Sequence, residues 1–291
     1  YTGRMLWSVP GAGYARDDKK PGPAFFAPAV DAAGLYVSNG RTIVEYVPAT
    51  GKISRQFPVL DDWGLGLNGV IILQGDYLLI HSETALVCIS RQDGKALWTR
   101  RAAEKRTLSS PIVVGGAHVF FAEGVRKIAA DRPAVTGELE SVSLADGRTA
   151  WRMPLDGFLS DIIYSEKAGM VLAFSGDSRI DARAVTDGRR VWVGRLSRSS
   201  NWTYSKSSPL PFSWNGRVLN LGGQILDVAS GTPVMTTHPL TGLPVPWTLP
   251  YKGFGCSMPN VVGDLLFTRG FDTVYFDLAN GHATLARRFV G

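Results

Sequence analysis

With 291 residues, the chain has room for two average domains or one large repeat domain, and it can bury a core. Its composition, 45% hydrophobic and 19% charged with 33 glycines, 17 prolines and 8 tryptophans, favours short strands joined by tight turns over long helices. The net charge of +6 comes from scattered basic pairs such as Arg100-Arg101 and Arg287-Arg288 without interleaved stacking aromatics, which argues against nucleic acid; no apolar run approaches the ~18 residues of a membrane-spanning helix.

The first expected element is a lone strand, Arg4 to Trp7, leaving the bend Thr2-Gly3. Tyr1 to Trp7 has neither an initiator methionine nor the basic and apolar regions of a signal peptide. Bends of the same kind recur at Gly51, Gly94, Gly147, Gly188, Gly231 and Gly281, preceded by Thr50, Asp93, Asp146, Asp187, Ser230 and Asn280. Four residues after the glycine stands Trp7, Trp98, Trp151 or Trp192, with Met235 and Leu285 as substitutes; in the second copy Arg55 takes that place and Phe57 is expected to pack instead. A glycine at positive φ joins two antiparallel strands, and an aromatic on the departing strand can cover a neighbouring unit.

Between bends the chain reads as three more strands. In one unit they are Val70 to Leu73, Tyr77 to His81 and Leu86 to Ser90, followed by the outer strand Ala96 to Thr99. The preceding Gly64-Leu-Gly66-Leu-Asn-Gly69 spells a dinucleotide fingerprint, but a strand follows it where that motif needs a helix, so it is read as a blade connection. Val125 to Gly137 intrudes between the second and third strands of the next unit, and Ser197 to Ser207 lengthens a connection. Within the latter lie Trp202 and Tyr204, and Asn201-Trp-Thr203 is a glycosylation triplet. The irregular stretch Leu240 to Tyr251 offers Trp247 and Tyr251 as the lining of a mouth for a peptide or sugar, with packing of the loop as the plain alternative.

Cys256 opens the last unit near the expected channel entrance. It is read as a buried thiol or, alternatively, as a disulfide partner of a cysteine beyond Gly291. Cys88 and Cys256 form no C-x-x-C, and the four histidines have no ligand spacing, so no metal site is expected. The last unit repeats the plan with Pro259 to Val262, Leu265 to Arg269, Val274 to Asp277 and Ala283 to Ala286.

Four short strands per unit, recurring every 41 to 53 residues, specify an all-β fold: a β-propeller of four-stranded antiparallel blades. Residues 1–291 are expected to form a single propeller segment of six complete repeats plus the lone outer strand. Because rings close by pairing both chain ends, the segment is expected to belong to a longer chain with a seven- or eight-bladed ring.

Asp227-Val-Ala-Ser-Gly231, Asp277-Leu-Ala-Asn-Gly281 and the Gly-to-Trp spacings at Trp7, Trp98, Trp151 and Trp192 resemble the PQQ-like, or quinoprotein-type, propeller repeat. The resemblance spans nearly the whole chain and is nearest to propeller modules of large bacterial proteins. It implies blades interlocked through the tryptophans and favours a periplasmic or cell-envelope location. Its dehydrogenase members use PQQ with calcium beside adjacent cysteines, and Cys88 and Cys256 are not adjacent, so no cofactor is expected. The expected function is therefore a non-catalytic scaffold that binds a protein partner, neighbouring domains of its own chain or, as an alternative, a glycan, without membrane insertion. A quinone-dependent dehydrogenase segment is the alternative. Trp202, Tyr204, Trp247, Tyr251 and Cys256 are the candidate partner-binding residues; no catalytic set is visible.

Overall fold

Apolar runs bounded by glycine bends become short strands throughout the computed structural model, which describes residues 25–38, 42–58, 68–109, 112–129, 132–175, 179–195, 212–219, 224–238, 240–248, 260–269, 273–279 and 282–285. Among these residues there is no helix, and hence none long and apolar enough to cross a membrane. The chain divides into two compact units, one of Tyr1–Lys127 and Pro133–Leu155, the other of Ile128–Arg132 and Asp156–Gly291.

The first unit holds a four-stranded antiparallel sheet, Ala29–Val30, Leu35–Ser38, Thr42–Tyr46 and Ile53–Pro58. Its second sheet runs Asn68–Gln74, Tyr77–Ser82, Ala85–Ser90 and Ala96–Arg101, with Phe25–Ala27 added in parallel to Asn68–Gln74. The strand at Asn68 confirms that the glycine fingerprint lacks its helix. The third sheet begins with Val113–Gly115, His118–Ala129 and Arg132–Ser143. The expected intrusion of Val125 to Gly137 is therefore no loop: it prolongs two neighbouring strands to 12 residues each.

In the second unit, the C-terminal part of Thr149–Ser165 pairs with Met170–Ser175, which continues through Arg179–Ala184 to Arg190–Arg195. A fifth group follows with Phe212–Trp214, Arg217–Leu219 and Leu226–Asp227. The last sheet is Asn260–Val262, Leu265–Arg269, Thr273–Asp277 and His282–Leu285, within a residue or two of the expected strands.

Middle strands such as Ala85–Ser90 are buried on both faces, whereas the outer strand Ala96–Arg101 alternates exposed and half-buried residues. That is the pattern of sheets stacked face to face. Tyr36, Ile43 and Phe57 of the first sheet share a core with Ile71, Leu78, Ile80 and Val87 of the second; Leu79, Leu86 and Cys88 meet Val119, Phe121 and Val142 of the third. In the second unit, Leu172, Phe174 and Ile180 meet Val218, Leu226 and Val228, and Leu219 and Ile225 meet Leu266, Phe276 and Leu278.

The bends obey one rule. The N–H of Gly51, Gly94, Gly147, Gly188 or Gly231 donates to the carbonyl four residues earlier at 2.8–3.0 Å, and each glycine has φ between 67° and 75°. The side chain before the glycine (Thr50, Asp93, Asp146, Asp187 or Ser230) accepts the N–H of the residue after it at 3.0–3.4 Å. The preference for Asp, Ser and Thr there comes from this side-chain cap, while the glycine alone adopts the left-handed conformation.

The departing aromatic then docks on the next bend. A Cβ on Gly147 would lie 2.7 Å from the Trp98 ring and one on Gly231 2.6 Å from the Trp192 ring, while Phe57 lies against Gly94. Trp98 Nε1 donates to the Leu144 carbonyl at 2.9 Å and Trp192 Nε1 to the Val228 carbonyl at 2.8 Å. Indole area, a satisfied N–H and a glycine that leaves room together form a joint between consecutive blades.

Candidate functional site

Of the five residues singled out from sequence, Trp247 is placed, and Trp202, Tyr204, Tyr251 and Cys256 lie outside the described residues. The stretch around Trp247 is less irregular than expected: Pro244–Pro246 pairs antiparallel with Met235–Thr237. Its tip is another copy of the glycine bend, with Gly242 at φ 68°, its N–H on the His238 carbonyl at 2.9 Å, and Thr241 Oγ1 accepting the Leu243 N–H at 3.4 Å. His238 reinforces the tip, its Nδ1 accepting N–H groups of Leu240 and Thr241.

At the base of this hairpin three backbones close a ring of hydrogen bonds. Trp247 N–H donates to Val234 O, Val234 N–H to Ile225 O, and Ile225 N–H to Trp247 O, at 2.7–2.9 Å. Trp247 packs against the core of Trp214, Leu219, Ile225 and Leu266. Half-buried Trp247 also meets Arg217, whose guanidinium carbon lies 5.1 Å from the Trp247 ring centre and 5.3 Å from that of Trp214. Trp214 is oriented in turn by its Nε1 donating to Asp264 Oδ1 at 3.1 Å. Arg217 was not legible as a site residue: Trp214 faces it across its own turn, but only the folded chain brings Trp247 to it.

Buried charge elsewhere is paired. In the first unit, fully buried Glu140 takes a hydrogen bond from Arg100 of the preceding blade, and Arg152 approaches its other oxygen at 2.9 Å without the alignment of a hydrogen bond. Glu123 accepts the Ala103 N–H at 2.7 Å and lies 3.5 Å from Arg100. Burial pushes the Glu140 carboxyl up, whereas for Glu123 hydrogen bonding and the neighbouring arginines outweigh burial and hold it down. In the second unit, Arg183 and Arg190 converge on buried Asp181, and Arg190 and Arg179 share Asp156. Such clusters fix neighbouring strands and hold their carboxylates in ion pairs.

Two titratable groups without an opposite charge beside them stand apart, Asp161 accepting the Ile162 N–H at 2.8 Å. His81 is buried with Nε2 lacking a partner, and burial pulls it down to about 4; Asp161, half-buried at the bulge after Leu159, is pushed up to about 6 by desolvation. Cys88 is sealed, its thiol pushed up to about 12 by burial, so it is no nucleophile. Among the described residues no three His, Cys, Asp or Glu side chains converge as metal donors. With Cys88 inside a core, no cysteine adjacent to it in sequence and no converging acidic set, the described residues do not fit PQQ with its calcium.

The family model described as outer membrane protein assembly factor BamB matches residues 1–239. Among solved structures, the crystal structure of BamB from Moraxella catarrhalis is similar over 90% of this chain and 75% of that one, with a TM-score of 0.53 and 17% identity. At that identity the likeness is one of fold. No curated protein sequence matches the chain.

Proposed function

Because the chain belongs to the PQQ-like propeller family whose model bears the description outer membrane protein assembly factor BamB, we propose that it is a non-catalytic scaffold that binds a protein partner in the bacterial cell envelope. The observation that supports this reading most is the repeated use of the unit: at Gly94, Gly147 and Gly231 the glycine, its cap and the incoming aromatic are consumed in joining blades. The buried carboxylates and arginines neutralise one another, which leaves surface loops to carry recognition. In the same reading the six units belong to one ring of seven or eight blades, set within a larger bacterial protein.

The test is capture of partners from an envelope extract by the 291-residue chain, beside dye reduction after incubation with PQQ and calcium. A saturable protein partner without dye reduction is the expected result. Quinone-dependent dye reduction would overturn the scaffold and install the dehydrogenase in its place.

A further inference from the structure

Most buried and half-buried arginines here meet carboxylates: Arg91 pairs with Asp31, Arg106 with Glu138, Arg152 with Glu140, Arg183 and Arg190 with Asp181. Half-buried Arg55 and Arg217 have no ion pair among the described residues, but Arg55 spends its donors on the Arg91 and Gln92 carbonyls, whereas no such acceptor meets Arg217 among those residues. Its cross-strand neighbour Asp227 is committed elsewhere, its Oδ1 accepting both the Ser230 N–H and hydroxyl at 2.9 Å. The guanidinium is instead held by the two indole rings, which orient it without neutralising it and leave its fork of donors without an acceptor among the described residues. The indole N–H of Trp247 likewise has no partner among the described residues.

The surroundings are equally unusual. Val228 to Tyr251 contains no Asp, Glu, Lys or Arg in 24 residues, although 19% of the chain is charged. Its hairpin exposes Met235 (53%), Leu240 (90%) and Leu243 (62%). Pro244 and Pro246 lack N–H groups at alternating positions of the strand, so an added strand would find few donors there. A partner must therefore be held through side chains.

We propose that Arg217, Trp214 and Trp247 form a carboxylate-binding site for a peptide segment of a partner protein in which an acidic side chain stands among apolar residues. The carboxylate takes the fork of Arg217, the apolar neighbours lie along Leu240 and Leu243, and the opposite charge selects this occupant. Exposed leucines give a uronate glycan nothing to gain, which favours the peptide. The inference deepens the scaffold reading and rests on it.

The indole N–H signals of Trp214 and Trp247 in the intact chain provide the readout by NMR. The probe is an acetylated, amidated heptapeptide with one glutamate between leucines, alongside its glutamine twin and an oligoglucuronate. The glutamate peptide is expected to shift both signals, with binding at least about tenfold weaker for the twin, for Arg217→Gln and for Leu240→Asp. Arg217→Lys, which keeps the charge but not the planar fork, recovers only part of it. Equal binding by the twin or by Arg217→Gln overturns the proposal, as does binding of the oligoglucuronate in place of the peptide. Leu240→Asp, at an exposed tip, keeps the test valid should Arg217 variants misfold. If envelope partners are still captured by Arg217→Gln, this site fails while the scaffold survives; loss of both capture and peptide binding in the unaltered chain fells both.

Discussion

Trp192 and Trp247 sit on the same unit and show two uses of one side chain. Trp192 closes on Gly231 and gives its N–H to a carbonyl, so every feature of the indole is consumed in joining blades. Trp247 also covers a core, yet it turns a face to Arg217 and keeps its N–H unpaired among the described residues. The first position recurs through the chain and the second does not. Repetition identifies what the architecture needs, and departure from it identifies where recognition is to be sought.

The largest expected effect probes how closed the joint is. Gly231→Ala must place a Cβ at φ 71° and 2.6 Å from the Trp192 ring, whereas Gly169→Ala meets φ 61° with nothing within 4 Å. Chemical denaturation should show a loss of about 3 kcal/mol or more for the first and about 1 kcal/mol for the second. Equal losses would mean that the indole yields freely and the joint is no tighter than a surface turn.

Titration separates sealed from half-open sites in the same way. The fold holds the sealed His81 at about 4 against 6.5, so it favours the neutral ring. Its contribution is intact above pH 6.5 and lost as pH falls toward 4, by up to about 3 kcal/mol. Asp161 at its bulge works in the opposite sense: held at about 6 against 3.8, it favours the protonated form, and stability falls as pH rises through that window. Unfolding between pH 4 and 7 should therefore show His81→Leu removing an acid loss and Asp161→Asn removing an alkaline one. Parallel curves for both variants and the parent would refute the assignment.

Smaller differences sharpen the contrast between the indoles. Trp192→Phe forfeits a hydrogen bond to the Val228 carbonyl and should cost about 1–2 kcal/mol, while Trp247→Phe, whose N–H has no such partner, should cost under about 1 kcal/mol. Reversed values in thermal unfolding would exchange the two roles. Smallest of all, Leu240→Asp should leave stability within about 0.5 kcal/mol, because the side chain is 90% exposed.

The blade was legible in the sequence to within a residue or two, because glycines, caps and aromatics act over four or five residues and repeat. Even the register shift before the bend recurs, at Glu45/Tyr46, Cys88/Ile89 and Ala182/Arg183, and Phe57 does take over the packing from Arg55. The Val125 to Gly137 insertion was misread as a loop because its proline and glycine look like breakers, while pairing along prolonged strands overrides them. Trp247 was legible as a candidate, and Arg217 was not. Its isolation depends on Asp227 being held by Ser230 and on Trp247 joining Trp214 beside it, which only the folded chain decides.

The bend at Gly242 is built like those at the blade edges, yet it sits at the end of an excursion from them. A closure that satisfies its own polar groups within six residues needs no help from neighbours. It is a portable clasp: a finger closed in this way can be lengthened or replaced while the sheet beneath it stays as it is. Natural diversification and laboratory grafting would then share one entry point, the segment between Val234 and Trp247.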